Sequence, residues 1–272
     1  MNSCAAGKQI TQMLLKADAS QLEWRTKVFL SQDPVALREI QNNEDLHSDN
    51  QKFFQLPNRT IAKNFLYRMI FADAFGERGY SSPAYAYAND PDFCHVSSSV
   101  RYWEEVVGRF FQKYPTIFNH GVSSIRTASE TGLLINPSGR FYKFAPFQYP
   151  SGDWDWPRTN ILNYPVQGLA ADFMILARKI AWRTIPRSPE ILFISTVHDD
   201  IELDCANDPV LIAHVGHCLE KAFSSVPAEF ERLFGVKVNV PLAAEIKVGM
   251  CLHEDSMVSL QKYLDNPACV VI

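Results

Sequence analysis

Glu190-Ile-Leu-Phe-Ile-Ser-Thr-Val-His-Asp-Asp-Ile-Glu-Leu-Asp-Cys205 is the clearest strand pair in the chain. Its first half is apolar and rich in β-formers, while Ile201, Glu202, Leu203 and Asp204 alternate like a half-buried strand. The turn between them holds His198, Asp199 and Asp200. The apolar first strand predicts that a buried sheet presents this turn. Asp favours turns for its own reasons, so H-D-D alone reads equally well as an ordinary hairpin tip.

Strand signals recur at both ends of the chain. Residues 11–17 (TQMLLKA) read as an apolar strand running into Asp18, and 239–250 as a closing strand. Residues 26–55 read as mixed helix and loop. Asn58 is an N-cap candidate for a helix over 59–72. Residues 77–96 are turn-rich. Ser97–Ser99 open a helix whose Val100, Trp103, Val106, Val107, Phe110, Phe111 and Tyr114 recur at helical spacing, with Pro115 as its end. That stripe reads as core. Leu133–Ile135, Asn136-Pro-Ser-Gly139 and Arg140–Phe144 read as a hairpin. Residues 167–183 read as an amphipathic helix. The expected class is α+β: an antiparallel sheet backed by helices and interrupted by a mainly helical insertion.

Composition excludes little. The 272 residues are 47% hydrophobic and 21% charged with net charge −4, which suits a globular protein of one or two domains. An acidic balance does not announce a nucleic-acid binder, although a local basic groove can sit on an acidic protein. The six cysteines form no C-x-x-C, so a reduced protein without structural zinc is expected. MNSCAAGKQ carries no signal-peptide core and no run reaches membrane-spanning length. A cytoplasmic protein without a membrane partner is expected. Cys269–Ile272 fits a prenylation box only formally.

Two further segments carry chemistry. Nucleotidyl transfer by two metal ions needs carboxylates brought together from separate parts of a chain. Asp18, after an apolar strand, is a good first ligand, and a second must come from elsewhere in the sequence. Taken alone, D-x-S reads as a solvated Asp opening a turn. Arg59, Lys63, Tyr67 and Phe71 recur every four residues and share one helix face. Two cations followed by two aromatics suit a triphosphate, then a sugar and base. The same spacing also fits an amphipathic helix with a basic entrance.

Taken together and in this order, Ala17-Asp-Ala-Ser-Gln-Leu-Glu-Trp-Arg25, Arg59-Thr-Ile-Ala-Lys-Asn-Phe-Leu-Tyr67 and Thr196-Val-His-Asp-Asp200 resemble motifs A, B and C of the family A DNA polymerases. Asp45-Leu-His-Ser-Asp-Asn50, with its short linker to Arg59, resembles the phage-replicase branch. Asn163-Tyr-Pro-Val-Gln-Gly168, followed by Leu-Ala-Ala-Asp172, resembles a further family block. The likeness extends from about residue 11 to about residue 250.

The resemblance implies a polymerase palm in two parts, 1–40 and 156–272, around fingers at 41–155. It implies two Mg²⁺ ions held by Asp18, the Ala19 carbonyl and Asp199, with Asp200 in support. Glu23 would exclude a 2′-hydroxyl and so select deoxynucleotides. His47, Arg59 and Lys63 would contact the triphosphate of a dNTP, Lys63 as general acid toward the leaving pyrophosphate. Tyr67 and Phe71 would pack beside sugar and base. Asn163, Gln167, His198 and Arg140 would touch primer–template DNA. The chain departs from the pattern at Phe71-Ala72, where the family reads Y-G. It departs again at Arg68, where the family has Gly, at Asp200, where it has Glu, and at Thr159, whose expected Arg stands one position earlier as Arg158.

Only seventeen residues precede Asp18, where the family carries a thumb and usually an exonuclease-like domain. The expectation is palm and fingers alone, with a second polypeptide supplying the rest, or a truncated relative. Two other readings stay open. A single-subunit RNA polymerase relative would share the palm, though Glu23 speaks against it. A non-enzymatic DNA-binding module is opposed by the intact Asp18, Lys63 and Asp199. If a phage encodes the chain, it works in the host cytoplasm.

Overall fold

The computed structural model describes residues 12–71 and 83–270, and for Phe71 the backbone alone. Its first elements are β1 (Gln12–Ala19), α1 (Leu22–Ser31), α2 (Pro34–Gln41), α3 (Leu46–Phe54) and α4 (Arg59–Phe71). Next come α5 (Pro83–Asn89), α6 (Val100–Lys113), α7 (Pro115–Thr131) and the short strands β2 (Leu133–Ile135), β3 (Phe141–Lys143), β4 (Phe147–Gln148) and β5 (Trp154–Asp155). The last are α8 (Arg158–Thr184), β6 (Ile191–Val197), β7 (Asp200–Ala206), α9 (Pro209–Ser224), α10 (Val226–Phe234), β8 (Ala244–Gly249), β9 (Val258–Ser259) and α11 (Leu260–Asp265). The α+β expectation holds. Ala72, the stretch 77–82 and the last two residues of the chain lie outside the described residues.

By compactness the chain divides into two units. One comprises Met1–Leu22, Phe173–Phe230 and Leu242–Ile272, and the other Glu23–Asp172 and Glu231–Pro241. The expected boundaries after residues 40 and 155 both fall within the second unit.

The first unit is built on a five-stranded sheet in the order β6-β7-β1-β8-β9. β1 pairs antiparallel with both β7 and β8. Its alternation decides which residues face where: Met13, Leu15, Ala17 and Ala19 are buried, while Leu14, Lys16 and Asp18 line the half-open face. Helix α9 covers the buried side with Ile212, Val215, Leu219 and Phe223. Asp208 caps it, accepting from the amides of Val210 and Leu211. Asp18 therefore sits inside the central strand rather than beyond its end.

One expectation is corrected here. The apolar strand 191–197 is the sheet edge, and Leu192, Ile194 and Val197 are 53%, 49% and 49% exposed. The buried partner is β7, in which six of seven residues are buried. Apolar content alone does not distinguish an edge strand with an uncovered face from a central one. Trp182 and Ile175 of α8 are also exposed, and with Phe193 and Ile194 they line a groove of about 510 Å³.

The second unit is helical and its core is aromatic. Phe54, Phe65, Tyr87, Phe93, Trp103 and Phe110 are fully buried and pack ring to ring at 4.9–6.3 Å. The α6 stripe is core, as its spacing predicts. Ser99 caps that helix through the Tyr102 amide and Asn58 holds the Ile61 amide at 2.8 Å. Pro115 both ends α6 and starts α7, where its missing N–H costs nothing. Arg68, where the family has Gly, forms an ion pair with Asp90 at 2.7 Å and covers the rings of Phe93 and Tyr87. Helix α8 begins nine residues earlier than expected and runs through Pro165. The Pro165 carbonyl accepts from the Asn136 side chain at 2.8 Å.

Candidate active site

The acidic corner lies in the first unit. Strand pairing sets Asp18 opposite Asp200 on one side and opposite Glu245 on the other. Asp199 occupies the turn between β6 and β7, whose other residue, His198, has a left-handed backbone at φ 52°. His tolerates this region better than most side chains, yet such a residue in a tight hairpin is a costly choice. The Ala19 amide donates to the Asp199 carbonyl at 3.0 Å, which pins the turn to the end of β1. One carboxylate oxygen from each of Asp18, Asp199 and Asp200 lies within 4.8 Å of the others.

Burial and like charge penalise ionised carboxylates in this corner. Burial and then the charges of Asp199 and Asp200 push the Asp18 carboxyl up to about 6. Burial also raises Asp200, opposed by Lys16, whose ammonium stands 2.8 Å from Asp200 Oδ2. The other oxygen, Asp200 Oδ1, is buried with no hydrogen-bond donor among the described residues. A buried, unpartnered acceptor beside two further carboxylates fits a hard divalent ion with oxygen ligands. Lys16 carries no motif, although its period-two relation to Asp18 on an alternating strand is a signal for it.

The second unit gathers His47, Arg59, Lys63 and Tyr67. Asp45 caps α3, accepting from the Ser48 amide, and pairs with Arg59 at 3.3 Å. The His47 ring is buried and stands 6.1 Å from the Tyr67 ring. Its Nδ1 has no hydrogen-bond partner among the described residues. Burial, then the charges of Arg59 and Lys63, hold the imidazole down at about 4, so it is neutral near pH 7. Lys63 is exposed. Neutral donors and two cations on adjacent helices make an anion-attracting surface. Glu23 stands in the first turn of α1, half-exposed. The Phe71 backbone ends α4, and its side chain lies outside the described residues.

Asn163 and Gln167 lie one turn apart on α8, Gln167 exposed and Asn163 half-buried. The adjoining glycine is required by packing: a Cβ on Gly168 would lie 1.8 Å from the Tyr142 hydroxyl. Arg140 donates to both oxygens of Asp172, at 2.5 and 3.3 Å, and Ser138 donates to the same carboxylate at 2.6 Å. The β2–β3 hairpin is thus tied to α8, a role for Arg140, Tyr142 and Asp172 that spacing alone does not disclose.

The family model for DNA polymerase family A matches residues 3–254. DNA polymerase I of Caldicellulosiruptor bescii is 23% identical over 245 residues, covering 89% of this chain and 27% of that protein. The POL domain of Pol1 from M. smegmatis, solved in complex with DNA primer-template and dNTP, shares the fold with a TM-score of 0.66 at 20% identity. That match covers 90% of this chain and 40% of the other. The chain thus spans well under half the length of both relatives. With the matched region covering nearly all of its residues, it belongs to DNA polymerase family A.

Proposed function

We propose that this chain is the catalytic portion of a DNA-directed DNA polymerase, adding deoxynucleotides to a primer 3′-hydroxyl on a template strand. The observation that carries this reading is the convergence of the Asp18, Asp199 and Asp200 carboxylates within 4.8 Å of one another. Asp18, Asp199 and the Ala19 carbonyl would hold two Mg²⁺ ions, which when bound acidify the 3′-hydroxyl and neutralise triphosphate charge. Asp200, anchored by Lys16, supports the pair.

Arg59 and Lys63 would hold the triphosphate as charge-assisted donors. His47, kept neutral by its surroundings, would add a hydrogen bond without further charge. Lys63 would pass a proton to the departing pyrophosphate. Tyr67 would pack beside the sugar and Glu23 would leave no room for a 2′-hydroxyl. Asn163, Gln167, His198 and Arg140 would contact the primer–template duplex.

A further share of polymerase polypeptide, on the same chain or on a second one, would grip the duplex. The relative lengths of the matched proteins support this, as does the uncovered apolar groove between β6 and α8. Primer extension with dNTPs and Mg²⁺ tests the reading, with that further polypeptide added where it is separate. Extension that survives Asp199→Asn unchanged, or that proceeds equally well with ribonucleotides, would overturn it. Primer–template binding without any turnover would leave only a DNA-binding module.

A further inference from the structure

Phe141–Trp156 is the most aromatic stretch of the chain, with seven aromatic residues among sixteen. The rings of Phe54, Phe65, Trp103 and Phe110 fill the helical core, but Phe141 and Trp154 here are 61% and 59% exposed. Within the same stretch, Phe147, Tyr149 and Trp156 join Arg158, Thr159 and Asn160 around a cleft of about 180 Å³.

The cleft is built rather than incidental. Phe147 and Tyr149 meet edge to face at 4.9 Å. The turn after them is closed by Tyr149 N to Asp153 O at 2.8 Å and Gly152 N to Tyr149 O at 2.9 Å. Gly152 supplies the left-handed residue that this turn needs, at φ 92°. Asp155, opposite Phe147 in the β4–β5 register, is buried. It accepts from the Trp156 amide at 2.8 Å and pairs with Arg158 at 3.5 Å.

Size and chemistry together narrow the occupant. Pockets for drug-sized molecules begin at about 300 Å³, so this one takes a single ring system. Phe147, Tyr149, Trp156 and Pro157 line it together with Asp155. Its rim offers a hydroxyl, a carboxamide and a guanidinium at the start of α8. An aliphatic side chain would make no use of those polar groups, and a small anion would make no use of the rings. A nucleobase uses both, by stacking and by its polar edge, with its phosphate toward Arg158 and the first turn of α8.

We propose that this cleft takes one unpaired nucleobase of a single-stranded polynucleotide. Only the identity of the strand, the unpaired template, rests on the polymerase reading above.

The test is fluorescence anisotropy of a labelled twelve-residue oligothymidylate with the whole chain, in chelator and without nucleotides. The expected result is binding weakened about tenfold by Phe147→Ala or Phe147→Leu, and retained in Phe147→Tyr, which keeps the ring. A strand of abasic residues should bind about tenfold more weakly than the oligothymidylate. Equal binding of the two strands, or of parent and Phe147→Leu, overturns the proposal. Displacement of the oligomer by an equal concentration of thymidine monophosphate overturns the strand in favour of a free nucleotide. Thermal melts of each variant separate lost binding from lost folding. Since the assay needs no Mg²⁺ and no turnover, its failure and a failure of primer extension are told apart.

Discussion

Asp18 and Asp200 stand directly opposite each other on adjacent antiparallel strands, one carboxylate facing another in the middle of the sheet. Like charges in this position destabilise a sheet, and the Asp18 carboxyl is raised to about 6 in consequence of burial and of its acidic neighbours. A carboxyl raised in the fold is penalised when ionised. Stability is therefore lost as pH climbs from about 4, the unfolded value, through 6, and the penalty is complete above that. For a dry group the shift would amount to about 3 kcal/mol, and for this half-exposed one about 1 kcal/mol is expected after screening. Asp18→Asn should melt higher than the parent at pH 7.5 in chelator and at the same temperature near pH 4. A variant that melts lower at pH 7.5 would remove the repulsion argued here.

The same repulsion makes a divalent cation a stabiliser. Mg²⁺ should raise the melting temperature of the parent, because an ion bound to the folded state alone shifts unfolding by mass action. The rise should shrink in Asp199→Asn, which deletes one of the three converging carboxylates. Primer extension by that variant should fall about a thousandfold or more, the equivalent of several kcal/mol of lost charge stabilisation. Equal Mg²⁺ shifts in the two proteins would separate the ion site from Asp199.

His47 offers a spectroscopic handle on the triphosphate reading. Its proton affinity is lowered to about 4 by burial and by Arg59 and Lys63. A histidine depressed in the fold costs stability as pH falls from about 6.5 toward 4, since the unfolded chain takes the proton first. A bound triphosphate would offset the two cations and raise the imidazole midpoint by about one unit or more. Proton NMR titration of the His47 ring, with and without a dNTP, measures this. An unmoved midpoint at saturating nucleotide would place the phosphates away from His47.

The site was more legible in the sequence than the layers were. Asp18, Asp199 and Asp200 are named from their resemblance to the family motifs, and the fold brings their carboxylates together. The exposure of β6 could not be read, because an apolar strand looks the same whether a neighbour covers it or not. The start of helix α8 at Arg158 is not visible in the sequence, because Pro165 and the mixed stretch before it hide the period. Lys16 was missed because a lysine on an alternating strand is ordinary until the opposite residue, in a distant part of the sequence, proves to be acidic. The sequence marks Arg140 as a candidate for DNA contact, but its hold on Asp172 depends on a hairpin meeting a helix.

Lys27 lies on α1, 2% exposed, with no ion-pair partner among the described residues. Burial lowers its ammonium to about 8, and its electrostatic neighbour His120 is itself basic. A lysine depressed in the fold is penalised while protonated, so its cost is full below pH 8 and fades as pH rises toward 10.5. Lys27→Met should stabilise the chain at pH 7, by at most about 3 kcal/mol. The gain should diminish by pH 10 in a denaturant series. A loss of stability at pH 7 would mean that the ammonium holds a structural role.

Gly168 follows Gln167 and packs against the β2–β3 hairpin, where any side chain would meet Tyr142. A Cβ there would stand 1.8 Å from the hydroxyl and 2.9 Å from the ring carbon that carries it. Gly168→Ala must therefore move the hairpin or the helix, at a cost of about 1–3 kcal/mol. Tyr142→Phe alone loses one hydrogen bond, that from the Asn136 side chain, for about 1 kcal/mol. Combined with Gly168→Ala it should recover part of the loss, because the nearest atom is gone, but not all, because the ring carbon remains. Thermal melts of the two single variants and the double variant give the coupling directly. Strict additivity would mean that the hydroxyl is not what excludes a side chain at position 168.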